Sequence, residues 1–501
     1  MPIVLNKDGR RSISSTHPDF DKMVNDWDMV DTVVSGRDVE STILRLNPSD
    51  TSDDNDVRNK QYRQRAVFFR IAGRTVNRMV GLVFTKWPIL QTSEMLSYIT
   101  KNIDGAGTSI YQQSQAVLKS VIAKGRAGIL VDYPIVHGET TREDMAQFRY
   151  YATAQRFEPQ QIINWSTMQV GANVQLKRVV LYDSVESDEG TIAIFRELAM
   201  ENVGGEHVYV SREYRRGGQD DEWGLHSETW PVDGFGNRWN EIPFAFIGAE
   251  TNQTTVDDIP ILDLCKGNIC HYRLHADYMD AAHFVGQPQG YISGVEDVKG
   301  FMEEYSSAGL YAGSRQYTIL PPGGSLGYAA VPPNVLVKEA MDATRNDLMG
   351  MGAFYITPGS AVKTAAQAEG EQEEQHSILS LAASNVAEAY SKALQWMYRY
   401  MRIEIAGEEE VPVYDLRRDF IRGAADPNLI TALWNLVMQG GMPRSDFWQA
   451  LRKAEIIDPE KDDEAIKEEL SGEKVDSGIG AITEQMDAEE LSTEDTSEED
   501  V

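Results

Sequence analysis

The sequence predicts an α+β fold, and three observations carry that expectation. The run from Asn334 to about Gly407 has helical periodicity with one break, and the stretch from Gln161 to about Phe246 alternates like short strands. Further helical patterns lie on either side of that strand-rich middle. Segregated blocks of helix and strand, rather than alternating βα units, define the class.

The run beginning at Asn334 is the most informative. Between Val335 and Met351, Val337, Ala340, Met341, Thr344, Leu348 and Met351 share one face, while Lys338, Glu339, Asp342 and Arg345 share another. That is an amphipathic helix. Ile356-Thr357-Pro358-Gly359-Ser360 interrupts it, because Pro removes a backbone donor and Gly relaxes helical dihedrals. One basic residue, Lys363, follows the break, and from Thr364 to Ala406 the chain has no Pro and a single Gly370. A helix of about 35 residues there would span roughly 50 Å, the length of a structural beam rather than a catalytic scaffold.

The other elements follow in order. Residues 1–58 are polar, with an aromatic patch from Phe20 to Trp27 and a loop expected to be mobile from Asn47 to Asp54. Lys60 to Phe84 is expected to form one helix, with Phe68, Ile71, Thr75, Val76, Met79 and Val83 as its apolar stripe. Arg70, Arg74 and Arg78 form a basic row on another side. Such a row can contact phosphates, but in a chain this acidic a solvated or ion-paired face is the simpler expectation. Ser109 to Lys124 makes a second helix ended by Gly125, and Ala127 to Asp132 a buried strand closed by Pro134. Arg178–Tyr182, Thr191–Phe195 and His207–Val210 are strands of an antiparallel meander.

Asp258 to Phe284 is the next long helix. On a helical wheel Asp263, Lys266, Arg273, Asp277 and Asp280 fall within about 100°, and the rest of the circumference is mostly apolar, small or aromatic. A helix charged on so narrow a side is packed on most others. Gly286 to Pro333 inserts a short helix, Val295 to Tyr305, a strand, Gln316 to Leu320, and a Pro-Pro-Gly-Gly turn. Asp426–Met438, Arg444–Ala454 and Pro459–Leu470 are expected as three short helices before an acidic Ser/Thr/Glu/Asp tail that cannot bury enough apolar surface to order itself.

Composition narrows the function. The formal net charge is −31, and ten acidic residues with no basic ones lie between Asp476 and Val501, which leaves −21 for the rest. A surface of that sign repels polyanions or keeps them from adhering. Two cysteines argue for a reducing compartment, and no apolar run has membrane-spanning length, so no membrane is expected.

Catalytic and metal patterns are sparse. There is no P-loop, no H-E-x-x-H and no C-x-x-C. Gly323-Gly324-Ser325-Leu326-Gly327 fits G-x-S-x-G, yet Pro332-Pro333 leaves no room for the helix a nucleophile elbow needs after its serine. Cys265, Cys270, His271 and His275 invite a metal, but the two cysteines stand about 140° apart on one helix and cannot converge on one ion. The expectation is no catalytic residue, no cofactor and no metal.

Four stretches in order carry a family resemblance. They are Arg74 to Phe84; Asn102-Ile103-Asp104-Gly105 with Gly125 to Pro134; Ile259 to Leu264 with Asn268 to Tyr272; and Lys363-Thr364-Ala365-Ala366 with Ser377 to Ala382. With the order of elements around them, the chain resembles the portal proteins of tailed bacteriophages over roughly residues 60 to 405. The resemblance implies a portal fold with wing, stem, clip and helical crown, assembled as a ring of about twelve subunits at one capsid vertex of the virion and made in the host cytoplasm. It implies an arm at 1–58, a wing at 59–257, stem helices at 258–285 and 335–351, and a clip at 286–334. A tunnel loop at 352–366, a long wing helix at 367–407, a crown at 408–475 and a tail at 476–501 complete the division. The implied partners are other copies of the chain, double-stranded DNA, the terminase large subunit, the tail adaptor, the major capsid protein and scaffold.

On that resemblance Thr357, Pro358, Gly359 and Ser360 belong to the tunnel loop and Lys363 makes a transient phosphate contact. Asp263, Lys266, Arg273, Asp277 and Asp280 are candidates to line the channel. A ring of about twelve copies would carry a charge near −370, which would keep moving DNA off the wall. The alternatives are an acidic α+β hydrolase acting on a polymer, through carboxylates or Ser325, and another virion ring protein such as a tail adaptor.

Overall fold

The structure, a computed structural model, describes residues 12–134, 150–187, 190–216, 223–286, 289–305, 320, 323–329, 335–354, 365–405, 407, 410–416, 427–453, 457 and 461–467. The chain divides into two compact units, Met1–Arg418 and Asp419–Val501. Both helix and sheet are present in segregated blocks, so the α+β expectation holds.

The first unit is built on a helix, a small sheet and a long helix that pack on one another. α4 (Ile110–Lys124) starts at Ser109, whose hydroxyl accepts from the Gln112 N–H while the Gln112 side chain accepts from the Ser109 N–H. This reciprocal capping box satisfies two donors that a helix start otherwise leaves open. α4 ends at Gly125, held at φ +73°, where an added Cβ would stand 2.6 Å from the Asp258 carbonyl oxygen. Only glycine suits that left-handed position at so close an approach. Reversal there launches β2 (Arg126–Asp132), the central strand between β3 (Thr153–Phe157) and β9 (Phe244–Gly248), both antiparallel to it. Ile129, Leu130 and Val131 are buried on β2, the central position a near-continuous apolar run suits.

The long helix α8 (Ala365–Tyr400) covers this layer and packs on α4, β2 and β9. Its 36 residues span roughly 54 Å. From Leu379 onward Ala382, Ala383, Val386, Ala387, Tyr390, Ala393, Leu394 and Met397 are buried, small residues alternating with large ones so that the helix axis approaches its neighbours closely. Polar ties fix its register. Asn385 Nδ2 donates to the Gly248 carbonyl at 3.0 Å, and Tyr390 Oη donates to Gln113 Oε1 at 3.0 Å. β12 (Val413–Asp415) pairs with β1 (Ile89–Gln91) and rests on α8, where the Ser391 hydroxyl serves both the N–H and the carbonyl of Tyr414.

The meander is a five-stranded antiparallel sheet in sequence order: β4 (Ile162–Val170), β5 (Asn173–Ser187), β6 (Gly190–Val203), β7 (Glu206–Arg216) and β8 (Trp223–Thr229). Glu197 lies opposite Arg212, and Arg212 opposite Glu228, so alternating charges run straight across three strands. A slip by one residue would point each of them at the other face, which makes the row a register lock.

The polar N-terminal region is packed onto this body. α1 (Pro18–Ser35) buries Phe20, Trp27, Val30, Val33 and Val34, and Trp27 Nε1 donates to the Lys124 carbonyl at 3.0 Å. Of the stretch Asn47–Asp54, expected to be mobile, Asp53 and Asp54 begin a helix, and Asn55 Nδ2 donates to the carbonyls of Leu46, Asn47 and Asp50. The single helix expected from Lys60 to Phe84 is instead two, α2 (Asp53–Arg65) and α3 (Ile71–Val83). The break falls at Ala66–Arg70, where tertiary hydrogen bonds from the neighbouring α5 (Leu262–Gly286) take over the backbone of Val67 and Phe69. Arg70, Arg74 and Arg78 are all exposed, but Arg70 Nη2 also donates to the Val34 carbonyl at 2.7 Å.

After α5 the chain forms a two-stranded sheet, β10 (Gln289–Ser293) with β11 (Ser325–Ala329), and the short helix α6 (Val298–Tyr305). Residues 316–319 of the expected strand lie outside the described residues. α7 (Val335–Phe354) then precedes α8. In the second unit α9 (Pro427–Met438) and α10 (Arg444–Lys453) pack through Phe447, Trp448 and Ile466 with Ile430, Leu433 and Val437.

Candidate functional site

The α5–α7 pair is the candidate site, because it carries the charged arc expected to face a channel. Its geometry starts from a close crossing. Gly267 on α5 has no side chain, and an added Cβ would meet Leu348 Cδ2 at 2.8 Å. Leu348 fills that notch and is 1% exposed. Ile261, just before α5, and Leu264 and Cys265 in its first turn are buried.

The arc divides in two. Asp263 and Lys266, at the N-terminal end of α5, are exposed. Further along, the same arc turns against α2 and the 3-10 turn Val39–Thr42. Arg273 Nε donates to the Thr42 carbonyl at 2.8 Å, and Tyr62 Oη donates to Asp277 Oδ1 at 2.5 Å. Arg65 Nη1 donates to Asp280 Oδ1 at 2.9 Å, with Arg58 4.0 Å from the same carboxylate. Burial and the Asp277 contact push the Tyr62 hydroxyl well above its ordinary value. Tyr62 also joins Val39, Ile43, Tyr272 and Ala276 in an apolar cluster. Asp263, Lys266 and Asp277 are thus exposed, Arg273 and Asp280 are half-buried, and Arg273, Asp277 and Asp280 each bond to their own chain.

Sequence reasoning did not foresee α2 as the cover. A signal existed: Arg58, Tyr62 and Arg65 recur at helical spacing on one face of α2, complementary to Asp277 and Asp280.

α7 is covered on one side. Val337, Ala340, Met341 and Thr344 of its expected apolar face are half-buried, whereas Met351 is exposed. Leu348 is its one buried residue among those whose side chains are described, and Val335, Leu336 and Met349 are exposed as well. Leu336 is the extreme, at 72% exposure. Lys363 and the loop residues Thr357, Pro358, Gly359 and Ser360 lie outside the described residues.

The hydrolytic and metal patterns take structural places. Ser325 opens β11 and its hydroxyl lies 2.9 Å from that of Ser293, so a strand and not a helix follows it. That geometry cannot form a nucleophile elbow. A cavity of about 580 Å³ between the meander, β9 and α8 has Glu241 and Glu388 in its wall. Glu241 accepts from Trp396 Nε1 at 3.1 Å and Glu388 from Asn252 Nδ2 at 3.0 Å. Cys265 is buried, its thiol pushed up to about 12 by desolvation, and Cys270 is exposed. Among the described residues no three His, Cys, Asp or Glu side chains are grouped to hold a metal, and no helix is long and apolar enough to cross a membrane.

Comparison with known proteins gives one family match. Residues 260–401, from just before α5 to just after α8, match a domain of unknown function, DUF4055. No curated protein matches the sequence. Among solved structures the chain is similar to a chain from the neck of a native GTA particle computed with C12 symmetry. That similarity has 14% identity and a TM-score of 0.39, covering 76% of this chain and 89% of that one. It is similar also to a chain from the neck of an empty GTA particle computed with C6 symmetry, at 14% identity and a TM-score of 0.38, covering 75% and 88%.

Proposed function

We propose that the chain is a portal, a non-enzymatic ring subunit that conducts double-stranded DNA at one vertex of a phage-type capsid. About twelve copies stand side by side, with α5 and α7 as the stem around a negatively charged hole. Asp263 and Lys266 line the hole, and Lys363 with residues 357–360 forms a loop that touches passing DNA. The sheet and helix between α5 and α7 form the clip that docks the terminase large subunit and later the tail adaptor. Major capsid protein and scaffold hold the outer surface.

The observation that carries this reading is the incomplete packing of α7. Val335, Leu336, Met349 and Met351 are exposed on a helix of 20 residues. Full burial of each such side chain contributes about 1.5–3 kcal/mol, so a neighbouring copy that covers them gains substantially. The acidic balance supports the same reading, since DNA would slide past such a wall without adhering. Light scattering behind size exclusion on the full chain and on Leu336→Asp/Met349→Asp tests it. The natural chain is expected as a large ring species and the double variant as a small one. A natural chain that elutes as a monomer, or a double variant that assembles normally, contradicts the proposal.

A further inference from the structure

We infer that His275, together with His271, is an acid-released latch that holds the α2–α3 linker on α5. The inference stands apart from ring formation and rests on the geometry of one chain. His275 Nδ1 accepts the Val67 backbone N–H at 3.2 Å. An accepting ring nitrogen carries no proton, and a proton placed there would turn the acceptor into a donor facing a donor. Phe69 stands edge-on to both imidazoles, 5.8 Å from His271 and 5.6 Å from His275 between ring centres.

A second anchor on the same linker does not titrate. Asn268, fully buried, accepts the Ala72 N–H through Oδ1 at 3.1 Å and donates from Nδ2 to the Phe69 carbonyl at 2.9 Å. The latch is thus one fixed clamp and one clamp that depends on protons.

The surroundings oppose a charge on either ring. His271 is buried, and its Nδ1 has no hydrogen-bond partner among the protein atoms described. From α7, Arg345 disfavours the His271 cation and Asp342 favours it. The linker offers only Arg70, which is turned to the Val34 carbonyl. On α5 itself Arg273 and Asp277 are bonded to Thr42 and Tyr62. Burial is the main cause holding both imidazoles below their ordinary 6.5, with mutual repulsion adding at His271. A released linker therefore binds protons more readily than a latched one. The latch is at full strength above about pH 6.5, weakens as pH falls below that, and stops weakening below the depressed folded value. α2 stays attached, because the Arg65–Asp280 contact and the Tyr62 cluster involve no histidine.

Hydrogen–deuterium exchange on the full chain at pH 7.5 and 5.0, normalised to free-peptide rates, tests the latch. Protection at residues 67–69 is expected to fall roughly tenfold at the lower pH while residues 55–62 of α2 keep theirs. In His275→Gln the amide oxygen can still accept but does not titrate, so the fall in protection should be smaller than in the natural chain, with only His271 left to take up a proton. Unchanged protection at 67–69 in the natural chain overturns the latch. So does an equal loss in His275→Gln, or a loss shared equally by α2. Should the variant fail to fold, the natural chain still decides: a loss at 67–69 that α2 does not share supports the latch, and no loss or a shared one overturns it.

Discussion

α7 and α8 are both long helices of the first unit, and they are finished in different ways. The C-terminal half of α8 is enclosed by α4, β2, β9 and β12, with its polar groups tied to Gln113, Gly248 and Tyr414. α7 buries Leu348 and leaves Leu336 and Met349 in solvent. The C-terminal half of α8 is packed by its own chain, whereas the described side chains of α7 leave an exposed apolar surface. Stability should therefore reside in the first helix and assembly in the second.

The sharpest way to break that contrast is a cavity in α8. Leu394→Ala, at a site with no exposure, should lower unfolding stability by about 2–5 kcal/mol, read by chemical denaturation of the dissociated chain. Leu336→Ala should leave the same measurement within about 0.5 kcal/mol while weakening assembly. Equal losses in the two would erase the distinction. Asp280→Ala should cost about 1 kcal/mol, and a double-mutant cycle with Arg65→Ala should show coupling between the two residues. Absence of coupling would mean that the C-terminal half of the α5 arc is not held by α2.

Acid supplies a smaller effect on the enclosed side. Glu158 is disfavoured as an anion by burial, but Lys124 and the Ser120 hydroxyl outweigh this and hold its pKa below 4.5. Its contribution is fully present above that value and is lost as pH falls through the depressed folded one. Glu158→Gln should flatten the acid limb of stability below about pH 4.5, followed by fluorescence, and an unchanged limb would remove Glu158 from the account. Smallest of all is thiol access. In the dissociated chain a disulfide reagent should label Cys270 quickly and Cys265 only on unfolding, since Cys265 is buried with a raised pKa.

Much of this was legible in the residues. Ser109 and Gly125 marked both ends of α4, the Val-Leu-Tyr and Ile-Phe alternations marked the meander, and the Ala/Leu/Gln run gave α8 nearly to its ends. These signals are local, so periodicity and capping suffice. The break at Ala66–Arg70 was not legible, because Asn268 and His275, some 200 positions away, impose it. A helical wheel groups the charged arc of α5 but does not tell which neighbour faces it. Tyr62 and Arg65 bond to its far half, and Asp263 and Lys266 are exposed at its near end.

Negative-stain imaging of the purified full-length chain tests the central claim most directly. Closed rings with a central hole are predicted, the α7 surfaces covered by neighbouring copies. A field of solitary particles, at a concentration where the chain is folded, would contradict it.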